Sequence, residues 1–386
     1  MNKALEDLIR ISNETGIDPS LVQGGGGNTS VKTKDDQYMY IKASGTALKD
    51  MNAKQGWRRL RLDLARSVVL DNNLAKMPPR RREPEVVNRL LLACDDKITT
   101  EARPSVEAHL HAWLDKCVIH LHPSAAGAYH NAKNGWAMLE KLFKNEKLPP
   151  LWVPYTDPGF MLARKIAGLV EDYQERYGKN PAILFLHKHG LFITAKTADG
   201  ALRLVRNVIK RCYGPLIQPK PGSAKSISQQ KINDYKLCIE RAYSKALKKH
   251  QQIWYYYNDA IADFLNQKNA KKLLSGSLTP DELVYANGAA MWVDKCDSQN
   301  IARRIKQQIK KGKKPAVAFL VKDVGLFVAG TEKIAPTVRD IVLYSLFIRT
   351  NANRMGGILT LNRRQEDFIN NWESEAFRKK LAITKK

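Results

Sequence analysis

Cys117-Val-Ile-His-Leu-His122 is the stretch on which the reading of this chain turns. A short apolar run between Lys116 and Pro123 predicts a buried strand, and residues two apart on a strand point to the same face. His120 and His122 would then present two imidazoles to one ion. The spacing alone fits equally a pair of surface or hydrogen-bonded histidines, so the decision rests on what else can join them.

A third imidazole is available downstream in His187-Lys-His189, just before Gly190 and between apolar stretches at 183–186 and 191–194. Periodicity does not choose between His187 and His189, which have the same two-residue spacing. Three neutral imidazoles with an open fourth position make a catalytic zinc site. Upstream, Glu107 in Pro104-Ser-Val-Glu opens a segment of helical pattern that leads into the histidine strand. The first turn of a helix suits carboxylates and anions, so Glu107 reads as a cap or as a carboxylate facing the metal. In the second case burial raises its pKa and a nearby cation lowers it, leaving a group able to move a proton to or from carbon. His109 and His111 read as packing residues or as residues that orient the site.

Three turns carry short polar side chains that suit an anion: Gly24 to Gly27 with Asn28-Thr-Ser30, then Ala43-Ser44-Gly45-Thr46, then Ser105. Gly-rich turns expose backbone N–H groups to phosphate, although an ordinary flexible turn has the same composition. No Gly-Lys-Ser/Thr follows the glycines and a helix end, not a strand, precedes them, which excludes a P-loop and a dinucleotide fingerprint.

Outward from these motifs, apolar spacing predicts helices over 3–15, 56–70, 85–94, 105–116, 124–142, 160–177 and 197–213, with short strands near Val31 and over 38–41. Gln218-Pro-Lys-Pro-Gly-Ser-Ala-Lys-Ser226 has linker composition. It divides a metal-binding domain over 1–216 from an α/β domain over 226–386, whose residues 229–267 read as helical. Within that second part, Phe319-Leu-Val-Lys-Asp-Val-Gly-Leu-Phe-Val328 repeats features of Phe185-Leu-His-Lys-His-Gly-Leu-Phe-Ile193. The pair reads as a degenerate internal duplication, with Val324 in place of the second histidine, or as two generic strand–turn–helix units.

The chain has 386 residues, 44% of them hydrophobic, enough for one large or two ordinary cores and too apolar for disorder. The first residues lack the apolar stretch of a signal peptide and no run has membrane length, so a cytoplasmic location and no membrane partner are expected. Five scattered cysteines without a Cys-x-x-Cys pair predict free thiols. A formal charge of +26 favours capture of anionic substrates or of nucleic acid. The Lys/Arg runs lie along helical patterns without interleaved aromatics, so they read as solvated faces and nucleic acid is not the expected partner.

Taken in order, Gly27-Asn-Thr-Ser-Val-Lys32, Ser44-Gly-Thr46, Pro104-Ser-Val-Glu107, His120-Leu-His122 and His189-Gly-Leu191 resemble the motifs of the class II aldolase/adducin family. The resemblance implies a three-layer α/β/α domain with a mainly antiparallel central sheet, followed here by a smaller mixed α/β domain. It implies one zinc per chain on His120, His122 and His189, with Glu107 as acid/base. It also implies phosphate binding by Gly27, Asn28, Ser44, Gly45 and Ser105, and a homo-oligomer. Many members have a second serine where this chain has Val106, which removes one hydroxyl donor. A longer resemblance, to the aldolase part of bifunctional rhamnulose-1-phosphate aldolase/alcohol dehydrogenases, runs through Trp152-Val-Pro-Tyr-Thr-Asp-Pro-Gly-Phe160 and Leu278-Thr-Pro-Asp-Glu-Leu-Val-Tyr285 to Asn371-Trp372. No dehydrogenase domain is expected.

The activity so implied is zinc-dependent cleavage of a ketose 1-phosphate, such as rhamnulose 1-phosphate, to dihydroxyacetone phosphate and an aldehyde. One fold hosts several reactions, so epimerase, dehydratase or decarboxylase chemistry is the alternative, and a non-catalytic adducin-like binding module the third reading.

Overall fold

The structure, a computed structural model, describes residues 2–96 and 102–374; the end of the expected 226–386 domain thus lies outside the described residues. These residues form two compact units. One holds 2–96, 102–130, 135–215 and 371–374, and the other holds 131–134 and 216–370. No helix among them is long and apolar enough to cross a membrane.

The first unit is built on seven strands: β1 (Asn28–Lys32), β2 (Tyr38–Lys42), β3 (Trp57–Arg61), β4 (Cys117–Leu121), β5 (Leu151–Val153), β6 (Ile183–Leu186) and β7 (Leu191–Ala195). Their order in the sheet is β3-β2-β1-β4-β7-β6-β5. Neighbours run antiparallel except β5 and β6. Helices Lys3–Gly16 and Ala198–Tyr213 cover one face, and Leu62–Leu70 and Phe160–Tyr177 the other. Val118, Leu184 and Phe192 of the sheet pack on Ala163, Ile166 and Val170 of the last helix, so the sheet is buried on both sides. The result is a mixed α/β fold of three layers.

Several segments differ from expectation here, and the helix expected over 124–142 is two helices, Ser124–His130 and Gly135–Leu142. The residues at 57–61 form β3 instead of the start of a helix, because Trp57-Arg-Arg-Leu-Arg61 pairs along the whole of β2, with Arg58 and Leu60 turned to the buried face. Trp57 meets Tyr40 edge-on at 5.4 Å across that pair. Of the helix expected over 105–116, only Ala108–His111 is helical.

The second unit carries β8 (Ile253–Tyr256), β9 (Met291–Val293), β10 (Ala318–Val321) and β11 (Gly325–Ala329) in the order β8-β11-β10-β9. The helix expected over 229–267 is cut by β8. Lys248 closes Gln229–Leu247 with φ 53°, and the aromatic run Ile253-Trp-Tyr-Tyr256 pairs with β11.

The four-strand order β8-β11-β10-β9 matches the run β4-β7-β6-β5 of the first sheet, including the one parallel pair at its end. The registers also correspond. Leu151-Trp-Val153 pairs with 184–186 as Met291-Trp-Val293 pairs with 319–321. His187 N–H donates to Val153 O at 3.0 Å, and Lys322 N–H to Val293 O at 3.0 Å. Each hairpin turns through a left-handed residue before its Gly-Leu-Phe, Lys188 with φ 57° and Asp323 with φ 56°.

Candidate metal centre

The site is assembled by strand pairing. In the β4–β7 ladder His120 lies opposite Phe192 and Leu121 opposite Leu191, which brings the turn between β6 and β7 next to the end of β4. His122 follows β4 by one residue, and His189 sits in that turn. Lys188, in the left-handed region, rotates the chain between His187 and His189, so the two imidazoles part. His187 packs 5.5 Å from Trp152, whereas His189 approaches His120 and His122 with ring centroids at 5.1 and 5.3 Å. The structure thus places His189, and not His187, beside His120 and His122.

One nitrogen from each of His120, His122 and His189 lies within 4.8 Å of the others. The Nε2 atoms of His120 and His122 are 3.1 Å apart. Two nitrogens bound at about 2.0–2.1 Å to one tetrahedral ion stand roughly 3.3 Å apart, so the pair has the separation a shared ion requires. His120 Nδ1 lies 3.1 Å from Leu191 O, and a proton donated there leaves the Nε2 lone pair facing the cluster. Phe192 stacks under the same ring at 4.0 Å and 15°. The donor set and its geometry therefore fit a divalent metal ion.

Glu107 faces this cluster. Its Oε2 is 3.6 Å from His120 Nε2 and its Oε1 3.7 Å from His189 Nε2. Asn28, opposite His120 in the β1–β4 ladder, donates its Nδ2–H to Glu107 Oε2 at 2.6 Å. Burial pushes the Glu107 carboxyl up, but His120, His189 and the Asn28 hydrogen bond outweigh it and hold it at about 2. His120 is itself kept well below the usual imidazole range by burial, despite Glu107, and is neutral at neutral pH. A buried carboxylate facing three clustered imidazoles suits a cation, which a metal ion on the three nitrogens would supply.

The other expected residues fall close by. Gly27 takes φ 61° directly before Asn28, and a Cβ there would come within 2.7 Å of His120 O. The second turn and Ser105 are joined by backbone bonds: Ser44 N–H donates to Arg103 O at 2.8 Å and Ser105 N–H to Lys42 O at 2.9 Å. Gly45 turns that loop with φ 78°. Ser105 Oγ accepts from Glu107 N–H at 3.3 Å, tying the turn to the acid/base candidate. His111 bonds Ser30 Oγ through Nδ1 at 2.8 Å, and His109 stacks on Phe160 at 6.4 Å, so both are packing and orienting residues. Leu191 O, Phe192 and Gly190 were not singled out from sequence. Their signal was the Gly-Leu-Phe run after His189, read there only as a motif.

Over 335 residues the chain is 28% identical to an uncharacterized oxidoreductase, YuxG, of Bacillus subtilis (strain 168), covering 80% of this chain. It spans 45% of that relative, less than half its length. The N-terminal class II aldolase domain of a conserved protein from Thermoplasma acidophilum is 28% identical, with TM-score 0.45, over 55% of this chain and 93% of that one. The L-fuculose-1-phosphate aldolase of Thermus thermophilus is 15% identical, with TM-score 0.32, over 54% and 91%. Residues 6–213 match the model of the class II aldolase and adducin N-terminal domain, more than half of the chain, and the chain belongs to that family.

Proposed function

We propose that the protein is a zinc-dependent aldolase that cleaves a ketose 1-phosphate of the rhamnulose 1-phosphate type into dihydroxyacetone phosphate and an aldehyde. The observation that carries this reading is Glu107, a buried carboxylate held by Asn28 within 3.7 Å of two of three clustered imidazoles. His120, His122 and His189 would hold the zinc, which supplies Lewis-acid polarisation of the ketose carbonyl. Gly27, Asn28, Ser44, Gly45 and Ser105 would orient the phosphate. In bond formation Glu107 takes the proton from the carbon beside the carbonyl, and in cleavage it returns a proton to that carbon. Burial of Glu107, His120 and His122 keeps bulk water from competing for that proton. A homo-oligomer and a cytoplasmic location accompany this reading.

The test is metal content together with aldehyde release from rhamnulose 1-phosphate and fuculose 1-phosphate, before and after chelation. One zinc per chain and chelator-sensitive release are expected, and His120→Ala should abolish both. Zinc with isomerised or decarboxylated product would instead identify the epimerase or decarboxylase reading, and a metal-free chain would sink the enzyme reading.

We further propose that residues 1–216 carry the reaction and that 226–386 descend from a copy of part of that domain. The shared strand order, registers and hairpin turns support this. Through those registers the metal positions His120, His122 and His189 correspond to Tyr255, Tyr257 and Val324. There Tyr255 Oη donates to Val324 O at 2.8 Å, a hydrogen bond where the first unit has its three imidazoles. Tyr255→Phe and Tyr257→Phe should leave one metal per chain; loss of metal in either would count against the assignment.

A further inference from the structure

Beside Trp292, at the β9 edge of the second sheet, lies a cleft of about 480 Å³, a volume that suits a small organic ligand. Five cations line it, Lys271, Arg304, Lys311, Lys313 and Lys314, against one carboxylate, Glu366. Lys271 is paired with Asp294 at 2.8 Å and Lys313 with Glu366 at 3.0 Å. Arg304 is half-buried, its Nη1 donates to Trp292 O at 2.6 Å, and Asp294, which acts on it at longer range, is already paired with Lys271. Among the described residues no carboxylate lies within ion-pair distance of Arg304 or of the exposed Lys311. A guanidinium drawn partly out of water, with only a more distant carboxylate that it shares with Lys271, is stabilised by an anion that enters beside it.

The corresponding cleft of the first unit supplies a control within the same chain. It lies beside Trp152 on β5, the counterpart of Trp292 on β9, and has about 540 Å³. There Glu140, Glu146 and Asp172 outnumber Lys144 and Arg176. The first unit's cleft thus lacks the excess of cations that its counterpart beside Trp292 carries, an excess that continues along the helix Ser298–Lys310 to Arg303, Lys306 and Lys310.

We propose that the cleft beside Trp292 binds a small phosphate ester. A phosphate monoester is close to a dianion at neutral pH, and a guanidinium fork flanked by lysine point charges is the donor set that recognises it. The amides of Gln307 and Asn370, also in the lining, can meet hydroxyl groups of the organic part. The site is separate from the metal centre, and its occupation does not depend on which reaction that centre performs.

The test is calorimetric titration of the metal-loaded full chain with fructose 1,6-bisphosphate, in an Asn28→Ala/Ser44→Ala background that disables the phosphate turns of the metal centre. Saturable binding of one molecule per chain is expected, with none for unphosphorylated fructose. Lys311→Glu and Arg304→Gln should each weaken it roughly 10-fold or more, the range of one charge-assisted hydrogen bond. Lys311 is exposed, so its reversal tests the site even if Arg304→Gln disturbs the fold. Absence of saturable binding in this background, or an affinity unchanged by Lys311→Glu, would overturn the proposal.

Discussion

A Cβ added to Gly190 would lie 2.6 Å from Leu121 O, 2.7 Å from His122 Cδ2 and 2.8 Å from His120 Cε1. The two ligand rings occupy the space that any other residue would need, so this glycine is required by close approach. Gly190→Ala should displace one ring and lower metal affinity by about 10-fold or more with the fold retained, read by competition with a chelator. At this scale the sequence was legible where chemistry is local. His120 and His122 were readable because strand spacing alone places them together. By spacing His189 was not separable from His187, and only the family resemblance preferred it, since the placement rests on the left-handed backbone of Lys188, a residue type that does not announce it. The bond from Asn28 to Glu107 joins residues 79 apart in sequence, and no local pattern shows it.

Among elements, the helix Phe160–Tyr177 is started by a side chain from another helix. Gly159 precedes it with φ 96°, and Glu83 Oε2 accepts the Phe160 N–H at 3.3 Å. Glu83 also accepts from Arg82 Nε at 2.9 Å, and both side chains are buried. Glu83→Ala would leave the Arg82 cation buried without its carboxylate and should cost about 3 kcal/mol. Glu83→Gln keeps the acceptor for the helix end and should cost less, roughly 1–2 kcal/mol, both measured by urea unfolding. Helix boundaries set by strong periodicity, such as 160–177, were readable within the element. β3 and β8 were not, because both adjoin helical segments and owe their conformation to partners, β2 and β11, supplied from elsewhere in the chain.

Over the whole molecule, the buried histidines tie stability to pH. Burial, opposed by Glu107, holds His109 at about 4 and His111 at about 3, and burial with neighbouring His187 keeps His130 well below the imidazole range. The unfolded chain takes up protons on these rings below about pH 6.5, whereas the folded chain does so only further down, so stability is present above that pH and lost as pH falls. Each ring contributes about 1.4 kcal/mol per pH unit within its window. The urea midpoint should therefore drop clearly between pH 7 and pH 5; a flat midpoint would mean these rings are hydrated. The two-part organisation was visible in the linker at 218–226, while the correspondence of the two sheets emerges only from strand order, since residue identity survives mainly in Leu/Met-Trp-Val and Gly-Leu-Phe. The orientation of His120 is set by a main-chain oxygen of β7, so the ligand cage is a product of sheet formation. The polypeptide should mature before it is metallated: chains refolded under chelator should take up zinc, or cobalt as a coloured reporter, within mixing time and without a refolding lag.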